Sequence, residues 1–387
     1  MAQLAFVATC TRGAEGVLAA ELDGLGLGPC HTDRGAVAFE GPLTHGYTAC
    51  LWSRIASRVL LVLDRVPAPH ADALFDGVAS IDWRDHMLPQ RTFRVDFVGS
   101  SPTLRNTRFG AQVCKDAVLA RFDRMTPQVD LKRPDLRLNV HLRRDQAQIA
   151  LDLSGEPLHL RTPGRQGGEA PLRENLAAAL LHIAGWPERC REGAPLLDPM
   201  CGSGTFLAEA AGMALDRAPG LARQRWGFTA WLGHVPVAWE RIRTEAKGRG
   251  ATGAARPLLV SGADASPDQV ARAQGNLTRA GFPKVALEVR ALADQQPADG
   301  PPGLVVANPP YGERLGGDSD LQGLYGELGS MLRRRFLGWT GWVLAPDKQL
   351  ASAVGLRPAR RVPVHNGPIE CRWLKFPIRA DRVARDR

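Results

Sequence analysis

The sequence predicts an α/β protein in which two small α+β regions precede a larger parallel sheet. Residues 1–160 alternate short strands and helices around the proline-containing break Val66–Pro69, whereas the chain from residue 161 onward repeats strands followed by helices. A strand-then-helix repeat is typical of a parallel sheet that helices cover on both faces. A length of 387 residues is sufficient for two or three hydrophobic cores.

The first 160 residues divide at this break into two α+β stretches. In the second stretch Val113, Ala117 and Val118 recur on one face of a predicted helix, which indicates packing against a sheet. The elements predicted in the first stretch are strands at Leu4–Ala8, Gly35–Phe39 and Ser57–Leu63 and helices at Ala14–Leu25 and Leu43–Ser53. Those predicted in the second are strands at Thr92–Val98, Arg137–Leu142 and Gln148–Leu153 and a helix at Gly110–Met125.

The parallel sheet of the third region is predicted from apolar runs bounded by turn residues. We expect it to close with an antiparallel hairpin and to be followed by a charged tail at residues 379–387. The predicted strands are Pro195–Leu197, Leu258–Ser261, Val285–Val289, Leu304–Ala307 and Gly341–Leu344, with the hairpin formed by Val362–Val364 and Cys371–Phe376.

Basic residues are concentrated in two blocks of the chain. The protein has 49 Lys+Arg and 40 Asp+Glu residues. Residues 91–144 have a net charge of +7 and residues 161–387 a net charge of +9, whereas residues 1–90 and 145–160 are net acidic. Basic surfaces attract polyanions and supply phosphate contacts that depend on salt. Charge alone is equally compatible with a solvated basic face that has no partner.

Several classes of protein are disfavoured by the sequence. No apolar run approaches the roughly 20 residues that cross a bilayer, because the longest candidate, Val59–Leu63, is followed by Asp64 and Arg65. The N-terminal residues lack the basic and apolar regions of a secretory signal, so we expect a cytoplasmic protein without membrane contact. The seven cysteines are scattered and none has zinc-ligand spacing, so we expect reduced thiols and no metal site.

The segment Leu196–Phe206 joins an apolar strand to a glycine turn and then to a helix predicted to begin near Thr205. This arrangement lets a ligand approach the backbone closely at a helix N-terminus. The turn lacks the Gly-Lys-Ser/Thr of a Walker loop and the third glycine of a dinucleotide fingerprint. The carboxylate of Asp198 suits a cationic ligand group, and S-adenosylmethionine carries an amino group and a sulfonium. An ordinary strand-to-helix turn is the alternative.

A second carboxylate, that of Asp264, follows the next predicted strand. In open α/β sheets a carboxylate at this position hydrogen-bonds a ribose diol. The alternative is that Asp264 caps a helix that begins near Pro267. The long interval between Asp198 and Asp264 implies an insertion at about residues 217–256, which is either a nucleic-acid-facing surface or packed local structure. Its aromatic and basic residues include Arg223, Arg225, Trp226, Phe228, Trp231 and Trp239.

The apolar strand Leu304–Ala307 ends in the sequence Asn308-Pro309-Pro310-Tyr311. Methylating an exocyclic amino group is difficult because its lone pair is delocalised into the ring. Two acceptors on the amino hydrogens, the Asn308 side-chain carbonyl and the Pro309 main-chain carbonyl, would favour a pyramidal nitrogen. The prolines fix the backbone and remove competing donors, and Tyr311 would stack on a flat substrate. No metal or strong base is required. A tight turn is the alternative.

Together these residues resemble the class I S-adenosylmethionine-dependent RNA methyltransferases that carry an N-terminal THUMP domain, most closely the bacterial 23S rRNA guanine-N2-methyltransferases. The resemblance covers nearly the entire chain. The glycine loop and Asn308–Tyr311 are shared with many methyltransferases, whereas residues 52–58 and 225–228 are more specific. The stretches that carry the resemblance are Thr11–Gly13, Trp52–Arg58, Arg105–Asn106, Lys115–Ala117, Asp152–Gly155, Ala170–Ala177, Leu197–Thr205, Arg225–Phe228, Asn308–Leu315 and Asn366–Pro368.

The resemblance implies a Rossmann-like, seven-stranded class I methyltransferase sheet at residues 161–387, preceded by a ferredoxin-like domain at 1–65 and an RNA-binding THUMP domain at 66–160. The implied catalytic residues, which would hold a flipped guanine, are Asn308, Pro309, Pro310 and Tyr311. The residues implied for cofactor binding are Pro171, Leu172, Asp198, Pro199, Gly202, Gly204, Thr205, Asp264 and Asn308. The residues of the basic block that we assign to RNA binding are Arg105, Arg108, Lys115, Arg121 and Arg124.

The chain departs from the family pattern in three places. The family often has an acidic residue after the third sheet strand, near the adenine, where this chain has Ala291 and only later Asp294. The interdomain stretch Leu160–Arg165 differs from the Lys-Arg-Gly-Tyr-Arg of relatives. Some relatives carry a second, fused methyltransferase domain for a 7-methylguanine. This sequence ends at Arg387 without that domain, so we expect that activity to belong to another protein.

The resemblance therefore implies an enzyme that transfers a methyl group from S-adenosylmethionine to N2 of a guanine in 23S rRNA or a large-subunit precursor, at the family's guanine 2445. We expect this enzyme to be a monomer. A tRNA guanine is the close alternative. A protein-glutamine methyltransferase also uses Asn-Pro-Pro-Tyr, since a side-chain amide has a similar planar nitrogen, but the basic THUMP-like region disfavours it. A catalytically inactive RNA-binding protein is the remaining alternative, which the intact Asn308–Tyr311 disfavours.

Overall fold

A computed structural model of the chain describes residues 3–166, 172–311 and 320–379. The chain forms two compact units. The first contains residues up to Cys10, Ala19–Leu158 and Arg223–Glu245. The second contains Thr11–Leu18, His159–Ala222 and the chain from Ala246 onward. The described residues form two β-sheets, of eight and seven strands.

The eight-stranded sheet is built from residues 4–152 in the order β2-β3-β1-β4-β8-β7-β5-β6. Its strands are β1 (Leu4–Thr9), β2 (His31–Asp33), β3 (Ala36–Gly41), β4 (Arg58–Pro67), β5 (Thr92–Gly99), β6 (Gln128–Val129), β7 (Leu136–Arg143) and β8 (Gln146–Asp152). The helices of this part of the chain are α1 (Glu15–Gly24), α2 (Leu43–Trp52), α3 (Ala71–Ala79) and α4 (Thr107–Leu119), with a short 3-10 helix at Trp83–Asp85.

Strand β4 joins the two α+β stretches into one sheet. It pairs antiparallel with β1 on one side and with β8 on the other. The strand runs through residues 58–67, so the predicted boundary between residues 65 and 66 falls inside it. The pairing with β8 includes a register shift between Val62 and Asp64. A β-bulge of this kind bends the strand and increases its twist.

Helix α4 ends earlier than the sequence predicted. It begins at Thr107 because the Asn106 side-chain oxygen accepts hydrogen bonds from the backbone N–H groups of Arg108 and Phe109. The helix ends at Leu119, and the predicted extension to Met125 was wrong. The reason is tertiary, because the chain must turn back to place β6 parallel to the start of β5.

The seven-stranded sheet has the order β11-β10-β9-β12-β13-β15-β14. Its first five strands are parallel, while β15 is antiparallel to β13 and β14 is antiparallel to β15. The strands are β9 (Leu196–Asp198), β10 (Val260–Asp264), β11 (Ala286–Val289), β12 (Leu304–Ala307), β13 (Thr340–Ala345), β14 (Arg360–Asn366) and β15 (Ile369–Pro377). The helices from residue 172 onward are α5 (Glu174–Ile183), α6 (Trp186–Arg191), α7 (Thr205–Ala214), α8 (Pro236–Gly253), α9 (Pro267–Ala280), α10 (Leu321–Arg335) and α11 (Lys348–Ala353), with 3-10 helices at Pro219–Ala222 and Leu292–Asp294.

This sheet confirms the predicted α/β class and each of the seven predicted strands, with ends that shift by a few residues. Strands β12 and β13 are buried along their whole length, as expected for a parallel sheet covered on both faces. The core around them includes the fully buried side chains of Trp186, Trp342 and Trp373. Large buried aromatic surfaces of this kind stabilise the sheet strongly.

The aromatic residues of the insertion are packed within the first unit. Trp226, Phe228 and Trp239 are at most 6% exposed. The ring of Tyr47 lies 4.7 Å from that of Phe228, and the Tyr47 hydroxyl lies 2.6 Å from Nδ1 of His234. These tryptophans therefore form local packing, and a nucleic-acid-facing role for them is wrong. In the part of the chain that the structure describes, no helix is long and apolar enough to cross a membrane.

Candidate active site

The glycine loop and the Asn-Pro-Pro-Tyr sequence open at the same point of the seven-stranded sheet. Strand β9 pairs with β10 on one side and with β12 on the other. The chain moves outward from β9 through β10 to β11, and then crosses to β12 on the opposite side. A crevice forms where the strand order reverses, at the carboxyl ends of the strands, and ligands of open α/β sheets bind there. The topology thus brings the two predicted motifs to one crevice.

Two glycines in the loop after β9 have backbone conformations that favour glycine. Gly202 has φ of +49° and Gly204 has φ of +79°. A Cβ atom at Gly202 would meet no heavy atom within 4 Å, so the loop faces open space there. A Cβ atom at Gly204 would lie 3.3 Å from the Cβ atom of Ala273 in α9. Helix α7 begins at Thr205 directly after the loop, as predicted. The N–H groups of its first turn therefore lie at the carboxyl end of β9, where the crevice is.

The carboxyl groups of Asp198 and Asp264 lie on neighbouring strands at this end of the sheet. Asp198 is 2% exposed, and burial, reinforced by the charge of Asp264, raises the pKa of its carboxyl group to about 8. Its Oδ1 accepts a hydrogen bond from the backbone N–H of Met200. Asp264 Oδ2 accepts a hydrogen bond from Gly202 N–H at 3.0 Å, and its Oδ1 accepts one from Ser266 N–H. Asp264 thereby fixes the glycine loop, while Ser266 caps helix α9.

Arg165 reaches the glycine loop from the segment before α5, a contact that the sequence analysis missed. Its Nη2 lies 2.5 Å from Thr205 Oγ1 and 3.3 Å from Ser203 Oγ. Its Nη1 lies 2.7 Å from Glu174 Oε1, and both charged side chains are largely buried. The pair ties the start of α5 to the start of α7. The one signal in the sequence was the departure of Leu160–Arg165 from the family pattern.

Asn308 presents an acceptor at the end of β12. Its Oδ1 is buried and has no hydrogen-bond partner among the described residues. A buried carbonyl oxygen without a donor is unfavourable by about 1–3 kcal/mol unless a ligand supplies one. Pro309 beside it is buried and Pro310 half-buried, and neither has an N–H that could satisfy this oxygen. The oxygen is thus suited to accept a hydrogen bond from an amino group in the crevice.

Tyr311 is buried in the core of the sheet. Its side chain is 1% exposed, and its hydroxyl oxygen accepts a hydrogen bond from Asn366 Nδ2 at 2.5 Å. Asn366 ends strand β14, and it was found in the sequence only through the resemblance at Asn366–Pro368. The predicted stacking of Tyr311 on a substrate would require the ring to leave this position.

The remaining residues predicted to bind the cofactor, and those near the predicted adenine position, differ in how deeply they are buried. Pro199, directly after β9, and Leu172, before α5, are both buried, whereas Pro171 lies outside the described residues. Ala291 and Asp294, after β11, are both exposed. The buried side chain of Gln295 donates hydrogen bonds from Nε2 to the carbonyl oxygens of Arg290 and Ala291 and so fixes the backbone at the position where the family often has an acidic residue. We found no cluster of three metal-ligating side chains among the described residues.

The five basic residues predicted to bind RNA lie in the first unit, around helix α4. Only Arg108 and Lys115 belong to the helix. Lys115 is half-buried and its Nζ pairs with Asp116 Oδ1 at 2.7 Å. Phe109 is 50% exposed next to Arg108, a feature that sequence reasoning missed. An exposed aromatic ring beside cations is suited to stacking on an unpaired base. The other three residues precede or follow the helix, and they are Arg105, Arg121 and Arg124.

A seven-stranded sheet in this order, with a glycine loop and Asn-Pro-Pro-Tyr at its switch point, defines the class I methyltransferase fold. Residues 162–375 match the family described as RMKL-like, methyltransferase domain. The chain belongs to this family. Residues 5–60 also match a family described as the RlmL ferredoxin-like domain, and residues 68–152 match the THUMP domain.

Relatives and solved structures agree with this assignment. Ribosomal RNA large subunit methyltransferase K/L of Allochromatium vinosum is 45% identical over 378 residues, which cover 96% of this chain and 51% of the relative. The chain spans about half the length of the curated relatives it matches. A candidate methyltransferase crystallised with SAH is 29% identical, with a TM-score of 0.86 over 98% of this chain and 99% of that one. A protein from Listeria monocytogenes, named from its sequence as an N6-adenine-specific DNA methylase, is 28% identical with a TM-score of 0.85, over 98% and 97% of the two chains.

Proposed function

We propose that the chain transfers a methyl group from S-adenosylmethionine to N2 of a guanine in 23S rRNA or a large-subunit precursor, at the family's guanine 2445. The observation that carries this proposal is the buried Oδ1 of Asn308, which has no hydrogen-bond partner among the described residues. Asn308 follows β12, and β12 pairs with β9, the strand that leads into the glycine loop. The rRNA substrate is suggested by the names of relatives that are up to 45% identical. The THUMP match and the five basic residues around α4 support an RNA substrate.

S-adenosylmethionine fits the residues that line the crevice. The open space at Gly202 leaves room for the amino acid portion at the N-terminus of α7. The buried carboxyl of Asp198 is suited to the amino group, because a cation would favour its ionised form. The oxygens of Asp264 retain lone pairs beyond those that Gly202 and Ser266 use, and these can accept from ribose hydroxyls. The SAH bound to the 29% identical neighbour is consistent with this fit.

In the proposed methyl transfer the main task of the protein is to orient the guanine amino group toward the methyl group. When bound, S-adenosylmethionine supplies an electrophilic methyl group and leaves as S-adenosylhomocysteine. Asn308 Oδ1 and the carbonyl oxygen of Pro309 accept hydrogen bonds from the guanine amino group and favour a pyramidal nitrogen whose lone pair points at the methyl group. The nitrogen then loses one proton to an acceptor or to water. The role of Tyr311 in this scheme is to pack behind the motif, and stacking on the base requires its ring to move out of the core.

Transfer of labelled methyl from S-adenosylmethionine to unmodified 23S rRNA and, separately, to unmodified tRNA tests the proposal, with nucleoside analysis of each product. N2-methylguanosine in rRNA alone is the expected result. Label in tRNA alone would retain the mechanism and overturn the rRNA substrate. N6-methyladenosine among the products would overturn the assignment of guanine as the methylated base. Label in release factors would favour the protein-glutamine alternative. The absence of label in all substrates, with cofactor binding intact, would favour an inactive RNA-binding protein.

The monomeric state and the cytoplasmic location expected from the sequence are proposed together with this function. Sedimentation of the purified chain, alone and with RNA, tests the first of these. A single species at the mass of 41.9 kDa is expected without RNA. The domain limits 1–65, 66–160 and 161–387 are likewise proposed, and limited proteolysis tests them. Since β4 crosses the first of these limits, we expect cleavage near residue 160 before any cleavage near residue 65.

A further inference from the structure

A cavity of about 380 Å³ lies in the second unit, at the opposite ends of helices α7 and α9 from the candidate active site. Helix α7 ends at Ala214 and α9 ends at Ala280. The cavity is lined by residues that follow these two helices, by the 3-10 helix Pro219–Ala222 and by residues at the end of α8. A ten-residue helix such as α7 is about 15 Å long, so the cavity is separate from the crevice. The proposed methyl transfer gives it no role.

The cavity combines cationic side chains with an apolar wall. Arg217 and Lys247 line it, and none of its described lining residues carries a carboxylate. The apolar part of the wall includes Leu215, Leu221 and Phe282. Nucleotides carry both matching features, a phosphate for the cations and an apolar face of ribose and base for the wall.

Arg217 is held in place by its surroundings. Its Nη1 donates a hydrogen bond to the carbonyl oxygen of Gly281 at 3.2 Å, and its guanidinium carbon lies 5.2 Å from the ring centroid of Phe282. A Cβ atom at residue 281 would lie 2.0 Å from Nη1, so the glycine allows this approach. A guanidinium that is already positioned loses less conformational entropy on binding a phosphate than a mobile one.

The surroundings of the cavity remain positive. Asp216, beside Arg217 in sequence, forms a two-point ion pair with Arg249, with distances of 3.0 and 2.8 Å. Its charge is therefore compensated locally. Lys247 is exposed, and so is Lys284, which follows Phe282 by two residues. An exposed rim with this charge is accessible to a polyanion.

We propose that this cavity binds one nucleotide of an RNA strand, with its phosphate between Arg217 and Lys247 and its ribose or base against the apolar wall. RNA is favoured over a free nucleotide because the exposed cations at the rim would also contact the phosphates of the neighbouring nucleotides in the strand. This inference rests on the proposed function for the identity of the ligand. It adds a docking site on the methyltransferase unit to the one proposed for the THUMP region.

The test compares Lys247→Ala with the control Arg241→Ala in fluorescence anisotropy titrations of a labelled single-stranded RNA. Both variants remove one exposed cation from α8, but Arg241 does not line the cavity. One lost phosphate contact should weaken binding about 5-fold at roughly 0.1 M salt and reduce the slope of log K against log salt by about 0.7. We expect both changes in Lys247→Ala and neither in Arg241→Ala. Lys247→Glu should weaken binding further.

Equal RNA affinity of the two alanine variants would overturn the proposal. A titration with guanosine monophosphate distinguishes the source of the phosphate, since weakened nucleotide binding with unchanged RNA binding would assign the cavity to a free nucleotide instead. Methyl transfer by the unaltered protein, measured in parallel, separates this proposal from the proposed function. If that protein methylates RNA and Lys247→Ala binds RNA normally, only the cavity proposal fails; if it does not methylate RNA, the proposed function fails.

Discussion

Binding of S-adenosylhomocysteine is expected to release a proton from Asp198. In the ligand-free protein burial holds the pKa of this carboxyl group at about 8, so it is mostly neutral at pH 7. A ligand ammonium placed beside it would favour the carboxylate and lower its pKa, because opposite charges stabilise each other in a buried site. The perturbation is therefore the addition of one positive charge to a buried acid.

The size of the effect follows from the pKa. A group with a pKa of about 8 is about 90% protonated at pH 7 and about 50% protonated at pH 8. If the bound ligand lowers the pKa to its usual range near 4, about 0.9 proton is released per ligand at pH 7 and about 0.5 at pH 8. The affinity for S-adenosylhomocysteine should therefore rise from pH 7 to pH 8, because at higher pH more of Asp198 is already ionised before the ligand binds.

Isothermal titration calorimetry measures this release directly. Titrations at one pH in buffers of different ionisation enthalpy give a heat that varies linearly with that enthalpy, and the slope is the number of protons released. Asp198→Asn should abolish the release. Methylthioadenosine, which lacks the amino acid portion, should release none from the unaltered protein. A buffer-independent heat at pH 7 for S-adenosylhomocysteine would refute the assignment of Asp198 to the ligand cation.

Three further predictions concern named side chains. Asn308→Ala should retain cofactor and RNA binding but lower turnover on the order of 100-fold, a loss of about 2.7 kcal/mol of transition-state stabilisation, and unchanged turnover in single-turnover assays would contradict its role. Arg165→Met leaves the largely buried Glu174 without the cation that it contacts. Calorimetry should therefore show an affinity for S-adenosylhomocysteine that is about 10-fold lower than that of the unaltered protein. Arg165→Lys should retain part of the lost affinity. Equal affinity in Arg165→Met would show that the pair does not position the loop. The raised pKa of Asp198 lets the folded protein bind a proton that the unfolded chain has lost. The free energy of unfolding should therefore fall from pH 5 to pH 8 relative to Asp198→Asn, by at most about 4 kcal/mol, and an equal pH dependence of the two proteins in denaturation curves would argue against this.

Much of the second unit was predictable because its strands and helix starts are determined by residues that are close together in the sequence. Strands β12 and β13 are buried along their whole length and are mostly apolar, and all seven predicted strands were found within a few residues of their observed ends. The start of α7 at Thr205 follows from the glycines before it, since their backbone conformations suit a turn and not a helix. The meeting of the two motifs at one crevice follows from the strand order, which the resemblance to class I methyltransferases implied and the repeat of strands and helices alone did not.

Other features depended on contacts between residues far apart in the chain. The buried position of Tyr311 is decided by Asn366, 55 residues later, and by the antiparallel strands of the sheet edge. The contacts of Arg165 with Thr205 and Glu174 have no local pattern that would reveal them. The packing of Phe228 on Tyr47 decided between two interpretations that composition left open.

The sequence by itself determined the class of fold, the order of its elements and the residue types at the crevice, because periodicity and turn chemistry act over a few residues. Only the tertiary structure decided which polar groups are buried together and which are already satisfied. The raised pKa of Asp198, the unpartnered oxygen of Asn308 and the cation of Arg217 over Phe282 all arise from this. Desolvation and hydrogen-bond satisfaction depend on every neighbour in space, and those neighbours come from distant parts of the chain.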